Sequence, residues 1–260
     1  MTEIGDILDL ARWPLDRDVS DLVKICQAEL KREGMFNLPG FLRPGLAGHI
    51  ARSLESCFES AAFKHKRSHN IYFRKSVPGL DPNHGALRRL ETSNSTLCAD
   101  QLGGPLTELY RWPPFAAFLA KVMGKDALYP MDDPLAAVNA MRYGEGEALN
   151  WHFDRSEFTT TLLLQAPEQG GAFQYRSGLC SEDDPNYEGV ASLLAGEDKD
   201  VRQINLSAGT LNVFQGKNTA HRVTPPKGTI PRIISVFSYF DRPGVVFTPE
   251  ERLGFYGRAS

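Results

Sequence analysis

Apolar positions follow a helical spacing in the first part of the chain and a strand-like spacing later. Over 19–32, Leu22, Val23, Ile25, Cys26 and Leu30 fall on one face of a helix. Gly34 ends that pattern, and Met35–Leu38 reads as a short extended piece. Arg43-Pro44-Gly45 predicts the start of a second helix running to about Lys64, with Leu46, Ile50, Leu54 and Phe58 on one stripe. The next stretch, 64–89, is basic and polar. Its residues 71–74 read as a strand, 78–83 as a loop, and its histidines as solvated side chains. Residues 102–123 predict two short helices broken at Trp112-Pro113-Pro114.

After Gly124 the pattern changes to strands. The signs are Leu128-Tyr129-Pro130, the partly alternating run 136–143, and then Thr159–Gln165, 172–176, Leu211–Phe214 and 232–240. About seven short strands at this spacing suit a sandwich or barrel. The polar stretch 181–199 reads as a long surface loop beside the barrel mouth, either a lid or an inert insertion. In the tail, Thr248 is an N-cap, Pro249 the first helical residue, and Glu250-Glu251 the acidic first turn of a helix ending near Gly257. The expected organisation is one α+β domain, mainly β in its core. Residues 1–125 form a mostly helical scaffold, 126–240 a jelly-roll core, and 241–260 a closing segment.

Composition narrows the functional classes. With 42% hydrophobic and 23% charged residues in a 260-residue chain, a sizeable core is available and disorder is not indicated. The net charge of -3 provides no basic field to recruit nucleic acid. No apolar run approaches the roughly 20 residues of a membrane span. Cys26, Cys57, Cys98 and Cys180 show no paired spacing, and the first residues, Met1 to Asp6, do not read as a signal peptide. A cytoplasmic protein with reduced thiols is the expectation. The oligomeric state is left open.

The chemistry gathers at Asn150-Trp151-His152-Phe153-Asp154. On a strand, positions i and i+2 share a face, so His152 and Asp154 can reach one ion. His221, from another strand, can complete a site of two imidazoles and one carboxylate. Such a facial set leaves coordination positions open, as in non-heme Fe(II) oxygenases. By alternation Arg232, Ile234, Val236 and Ser238 share a face, and an inward Arg232 guanidinium can grip a carboxylate in bidentate fashion. Thr224 or Ser238 can add a hydroxyl donor.

The ordered set is His-x-Asp, Gly-Gly-x-Phe at 170–173, Gly-Thr-Leu-x-Val-Phe at 209–214, His221-Arg222-Val223 and then Arg232. With these motifs residues 136–240 resemble the Fe(II)/2-oxoglutarate-dependent oxygenase superfamily. The resemblance implies a double-stranded β-helix, with His152, Asp154 and His221 as iron ligands and Arg232 on 2-oxoglutarate. O2 would be the second co-substrate, and Asn139 and Tyr143 further co-substrate contacts. The tail, Phe240-Asp241-Arg242-Pro243-Gly244 and then 251–258, is similar to the radical halogenases of free amino acids and their hydroxylating relatives. In those halogenases a small residue replaces the carboxylate ligand and chloride takes its place. Asp154 departs from that pattern, so the resemblance implies oxygenation. It also implies a basic residue holding the substrate carboxylate, matched to Arg74, and tail aromatics such as Tyr256 closing the pocket. The expected substrate is a small molecule, an amino acid or related metabolite. Desaturation or cyclisation, and action on a peptide side chain, use the same machinery. A jelly-roll metal sensor or binding module is the non-enzymatic reading. A zinc hydrolase fits less well, because it gives Arg232 no role.

Overall fold

The computed structural model describes residues 3–181 and 183–260. Met1 and Thr2, and Glu182 of the polar stretch, lie outside the described residues. Among the described residues the helices are α1 (Ile4–Ile7), α2 (Ser20–Glu33), α3 (Leu46–Ser53), α4 (Glu55–Ser60), α5 (Pro105–Arg111), α6 (Pro113–Met123), α7 (Tyr187–Ala195) and α8 (Pro249–Tyr256). The strands are β1 (Met35–Leu38), β2 (Phe63–His69), β3 (Leu90–Leu97), β4 (Tyr129–Pro130), β5 (Val138–Tyr143), β6 (Leu149–His152), β7 (Thr159–Gln165), β8 (Phe173–Arg176), β9 (Arg202–Ile204), β10 (Leu211–Phe214), β11 (Ala220–Val223), β12 (Arg232–Phe237) and β13 (Tyr239–Phe240).

These strands build a seven-stranded sheet of order β1-β10-β7-β12-β5-β3-β2 and a four-stranded sheet of order β6-β11-β8-β9. The minor sheet lies against the major one across apolar side chains drawn from both, with Met35 and Phe214 meeting Phe173, Tyr175 and Val223. This is the two-layer jelly roll expected. The alternation of each strand divides its residues between two cores. Leu162, Leu164, Val213, Ile233 and Phe237 face the helices, packing with Phe36, Phe41, Phe115 and Leu119. Tyr143, Leu163 and Ile234 face inward.

The predicted helix over 19–32 is α2. It ends where Gly34, at φ 76°, donates its N–H to Leu30 O. A Cβ there would lie 2.8 Å from Ser177 Cβ, so glycine serves both the turn and the close approach. The two helices around Trp112 and the capped tail helix also form, with Thr248 and Glu251 exchanging capping hydrogen bonds.

Four expectations are corrected. The helix from Arg43 to Lys64 is two helices meeting at Leu54. Ser53 Oγ donates back to Ile50 O at the junction, offering the backbone an alternative to continued helix. Phe63 and Lys64 already belong to β2. Residues 71–74 form a turn in place of a strand. Asn70 organises it, its Oδ1 accepting from the N–H groups of Tyr72 and Arg74 and its Nδ2 donating to Arg74 O. The first 125 residues supply β1, β2 and β3 to the major sheet as well as helices.

The polar stretch 181–199 contains α7, capped by Asn186. The helix buries Val190, Leu193 and Leu194 against Ile71, Trp151, Phe153 and Ala220, on the minor sheet's outer face. Leu193 is 2% exposed. Leu193→Ala is expected to destabilise the protein by about 2–5 kcal/mol, read as a lower urea midpoint. An inert surface insertion would leave that midpoint unchanged.

Candidate active site

The antiparallel register of β6 and β11 sets His152 directly opposite His221. Their ring centroids are 4.0 Å apart, and both side chains are buried. Each ring is oriented by a carbonyl two residues before it: His152 Nδ1 on Asn150 O at 2.8 Å, His221 Nδ1 on Thr219 O at 2.9 Å. A carbonyl only accepts, so each Nδ1 carries a proton and each Nε2 is the nitrogen turned to the site, where a metal would bind. Asp154 lies just beyond the end of β6, its N–H donated to Gly216 O at 3.0 Å. Its Oδ1 is 3.2 Å from His152 Nε2 and its Oδ2 3.4 Å from His221 Nε2. The three donor atoms lie within 4.8 Å of one another, a spacing one ion can bridge.

The electrostatics set these groups in their ligand forms. Burial would raise the Asp154 carboxyl, but His221, His152 and the Thr159 hydroxyl outweigh it and hold the group well below the usual carboxylate range. Burial pushes His221 down to about 4, helped by His152 and opposed by Asp154. At neutral pH the cluster offers an ionised carboxylate and a neutral His221 imidazole.

Arg232 begins β12, opposite Tyr143 on β5. Its side chain is 4% exposed, and its Nη1 is buried without a hydrogen-bond partner. Burial lowers its pKa to about 10, so it remains charged at neutral pH. It borders a cavity of about 280 Å³ lined also by Leu163, Gly171, Phe173 and Leu206. The Phe173 ring is 5.7 Å from that of His221, which sets the cavity beside the triad. A buried guanidinium with a free N–H and no acidic partner among the described residues fits a carboxylated co-substrate.

The other predicted residues are distributed as follows. Tyr143 is fully buried, and its hydroxyl meets Asn94 Nδ2 at 3.4 Å. Asn139 has its amide engaged, Nδ2 donating to Leu135 O and Oδ1 accepting from the Tyr256 hydroxyl, so these two join the tail to β5. Ser238 follows β12, its carbonyl accepting from the Tyr110 hydroxyl and Met131 N–H. Thr224 Oγ1 accepts from Ala172 N–H. Arg74 is exposed on the turn after β2.

Sequence reasoning missed Arg67. It lies on β2, its guanidinium carbon 4.2 Å from the Phe73 ring and 5.7 Å from the Phe255 ring. Its Nε is buried without a partner, and Phe73 in turn lies 5.6 Å from the His152 ring. The available signal was the spacing His65, Arg67, His69, which puts three basic side chains on one strand face.

The sequence matches the halogenase D (HalD) family over residues 19–244, which includes the triad and Arg232. The chain belongs to this family. No curated protein matches it. Solved structures share the fold. The epimerase SnoN of nogalamycin biosynthesis matches at TM-score 0.56 and 15% identity, over 85% of this chain and 84% of its own. HygX from Streptomyces hygroscopicus, with nickel, 2-oxoglutarate and hygromycin B bound, matches at 0.55 and 12%, over 83% and 86%. A prolyl hydroxylase from Trichoplax adhaerens, in complex with a hypoxia-inducible-factor peptide, matches at 0.52 and 13%, over 88% and 93%. Family membership and the His-Asp-His donor set make the chain an Fe(II)/2-oxoglutarate-dependent oxygenase.

Two buried histidines predict a pH dependence for the metal-free protein. His221 and His69 both fall to about 4, burial being the main cause in each, against about 6.5 in the unfolded chain. Between pH 6.5 and 4 the unfolded chain therefore binds more protons, and stability falls as the pH falls. Asp154, with its lowered value, loses its contribution only below about 3.8. The unfolding free energy should drop by about 2–4 kcal/mol between pH 7 and pH 5. His69→Gln should remove about half of that drop in denaturant titrations.

Proposed function

We propose that this enzyme hydroxylates an unactivated C–H bond of a free amino acid or related small carboxylate, converting 2-oxoglutarate and O2 to succinate and CO2. The observation that carries the reading is Asp154. A third protein ligand stands where a halogenating member would need an open position for halide, so oxygen transfer is favoured over chlorination. Bound iron supplies the O2 activation, with 2-oxoglutarate as the two-electron donor. The chain's own residues do the positioning. His152, Asp154 and His221 hold the metal and leave one side of it open. Arg232 holds the far carboxylate of 2-oxoglutarate through a charge-assisted pair. Phe173 and Phe214, packed on the His221 ring, keep water from that side.

The substrate side rests on Arg67. A half-buried cation with its Nε buried and unpartnered, flanked by Phe73 and Phe255 and with no acidic partner among the described residues, suits a free carboxylate. That favours a free amino acid over an internal peptide residue, which has no α-carboxylate to offer. Arg74, being exposed, is the weaker candidate for the same role. Four free thiols fit work in the reducing cytoplasm. Desaturation and cyclisation share the same residues, and the product decides among them.

The test is a panel of amino acids with Fe(II), 2-oxoglutarate, O2 and chloride, followed by succinate detection and product mass. A product gaining one oxygen is expected; a chlorinated product would overturn the reading. Arg232→Ala should raise the KM for 2-oxoglutarate on the order of 100-fold, because a buried charged pair is lost. It should leave the amino-acid KM nearly unchanged.

Arg67→Ala should do the reverse, raising the amino-acid KM on the order of 100-fold. Arg74→Ala should have little effect, and a larger effect from Arg74 than from Arg67 would move the anchor back to the turn.

A further inference from the structure

Asp154 has no strand register to hold it, since β6 ends at His152. Its backbone is tied by one hydrogen bond, to Gly216 O. Its side chain is fixed by a residue on another strand: Thr159, the first of β7, donates its hydroxyl to Asp154 Oδ2 at 2.5 Å. Gly216 closes the other side. A Cβ at that position would lie 2.5 Å from Asp154 Oδ2, 2.7 Å from Thr159 Oγ1 and 2.8 Å from Asp154 Cβ. No larger residue fits there without moving the carboxylate. Thr159 pairs with Phe214 across the sheet, two positions before Gly216, so the hydroxyl reaches Asp154 from β7 and the glycine from the turn that follows β10.

We propose that Thr159 is a positioning residue for the metal: it holds Asp154 Oδ2 so that Oδ1 alone is presented as ligand, with Gly216 leaving the space that this orientation needs. A carboxylate can bind a metal through one oxygen or two, and rotation about its Cβ–Cγ bond exchanges these modes. The two oxygens are almost equally placed toward the two imidazoles, at 3.2 Å and 3.4 Å, so the imidazoles alone do not choose between them. The Thr159 hydrogen bond breaks that symmetry. It draws electron density from Oδ2, while Oδ1 faces only His152 Nε2, 3.2 Å away, the nitrogen that would itself turn to the metal. Single-oxygen binding keeps a coordination position open that a two-oxygen carboxylate would fill. Such outer contacts on metal ligands typically carry a 10–100-fold effect on affinity.

The inference rests on the triad binding a metal, and the experiment separates the two. Mn(II) is titrated into wild-type protein and variants, and free Mn(II) is followed by electron paramagnetic resonance. His152→Ala should abolish tight binding; if it does not, the triad reading itself fails. Given a working triad, Thr159→Val should weaken Mn(II) binding by roughly 10–100-fold, and Thr159→Ser should restore it. Without metal both variants should stay folded, Thr159→Ser melting near wild type and Thr159→Val a few degrees lower for the lost donor to Asp154. Gly216→Ala, which crowds the same oxygen from the opposite side, should also weaken binding. A Thr159→Val protein that binds Mn(II) like wild type, or that loses its fold without metal, would overturn the proposal and assign the hydroxyl to the fold alone.

Discussion

The arrangement on which the rest depends is the cross-strand pairing of His152 with His221. Two imidazoles 4.0 Å apart, with a carboxylate against both, form a dry cluster of metal-binding groups. Such a cluster is costly to assemble by chance, because each group loses water and the histidines would repel one another if both were charged. Its cost is met by position. The sheet register aligns the rings, backbone carbonyls fix their tautomers, and aromatic residues of β8 and β10 wall in His221. Everything else in the inner layer takes its place relative to this pair.

Two arginines then stand out for nitrogens that nothing satisfies. Arg232 and Arg67 both carry a buried nitrogen with no hydrogen-bond partner, and neither has an acidic neighbour in an ion pair among the described residues. An unpaired guanidinium as buried as that of Arg232 is strongly unfavourable in a resting protein, and the half-buried Arg67 carries a smaller part of the same cost. It becomes favourable when a ligand brings the missing carboxylate, and part of the ligand's affinity comes from relieving that penalty. The burial that lowers the Arg232 pKa is the same burial that makes an incoming carboxylate worth binding. Under the proposed function each arginine would receive one carboxylate, Arg232 that of 2-oxoglutarate and Arg67 that of the substrate.

How much of this is legible in the sequence depends on how each residue is held. His152 and Asp154 are close because they are two apart at a strand end, and the ordered glycine and phenylalanine motifs point to the strand carrying His221. These are local rules that a sequence displays. Arg67 was hidden because β2 is polar on both faces, with no apolar alternation to mark it as a strand. The misread strand at 71–74 followed from the same gap: Ile71, Tyr72 and Phe73 looked like a strand, yet they are turn residues held by Asn70. Helix α7 was hidden by the polar residues before and after it. Only its tertiary contacts with Trp151 and Phe153 show that Val190, Leu193 and Leu194 form a buried face. Ser238 was chosen from strand alternation and Asn139 from the family resemblance, and neither gives a partner. The partners prove to be the tail and the helix α5 side of the sheet.

The family is named for halogenation, and the local packing around Asp154 bears on how far this chain stands from that chemistry. A halide site needs more than a shorter side chain at one position. It needs the space that the carboxylate fills, and donors that suit an anion without a covalent tether. Here Thr159 is turned onto Oδ2, and Gly216 sits so close that no Cβ fits beside that oxygen. Shortening Asp154 would leave the half-buried Thr159 hydroxyl with Ser156 Oγ, 3.3 Å away, as its remaining side-chain partner. It would also leave the two histidines as the only protein ligands. The carboxylate is therefore part of a fitted set of three residues from separate segments, and that fit is the physical ground for proposing oxygenation.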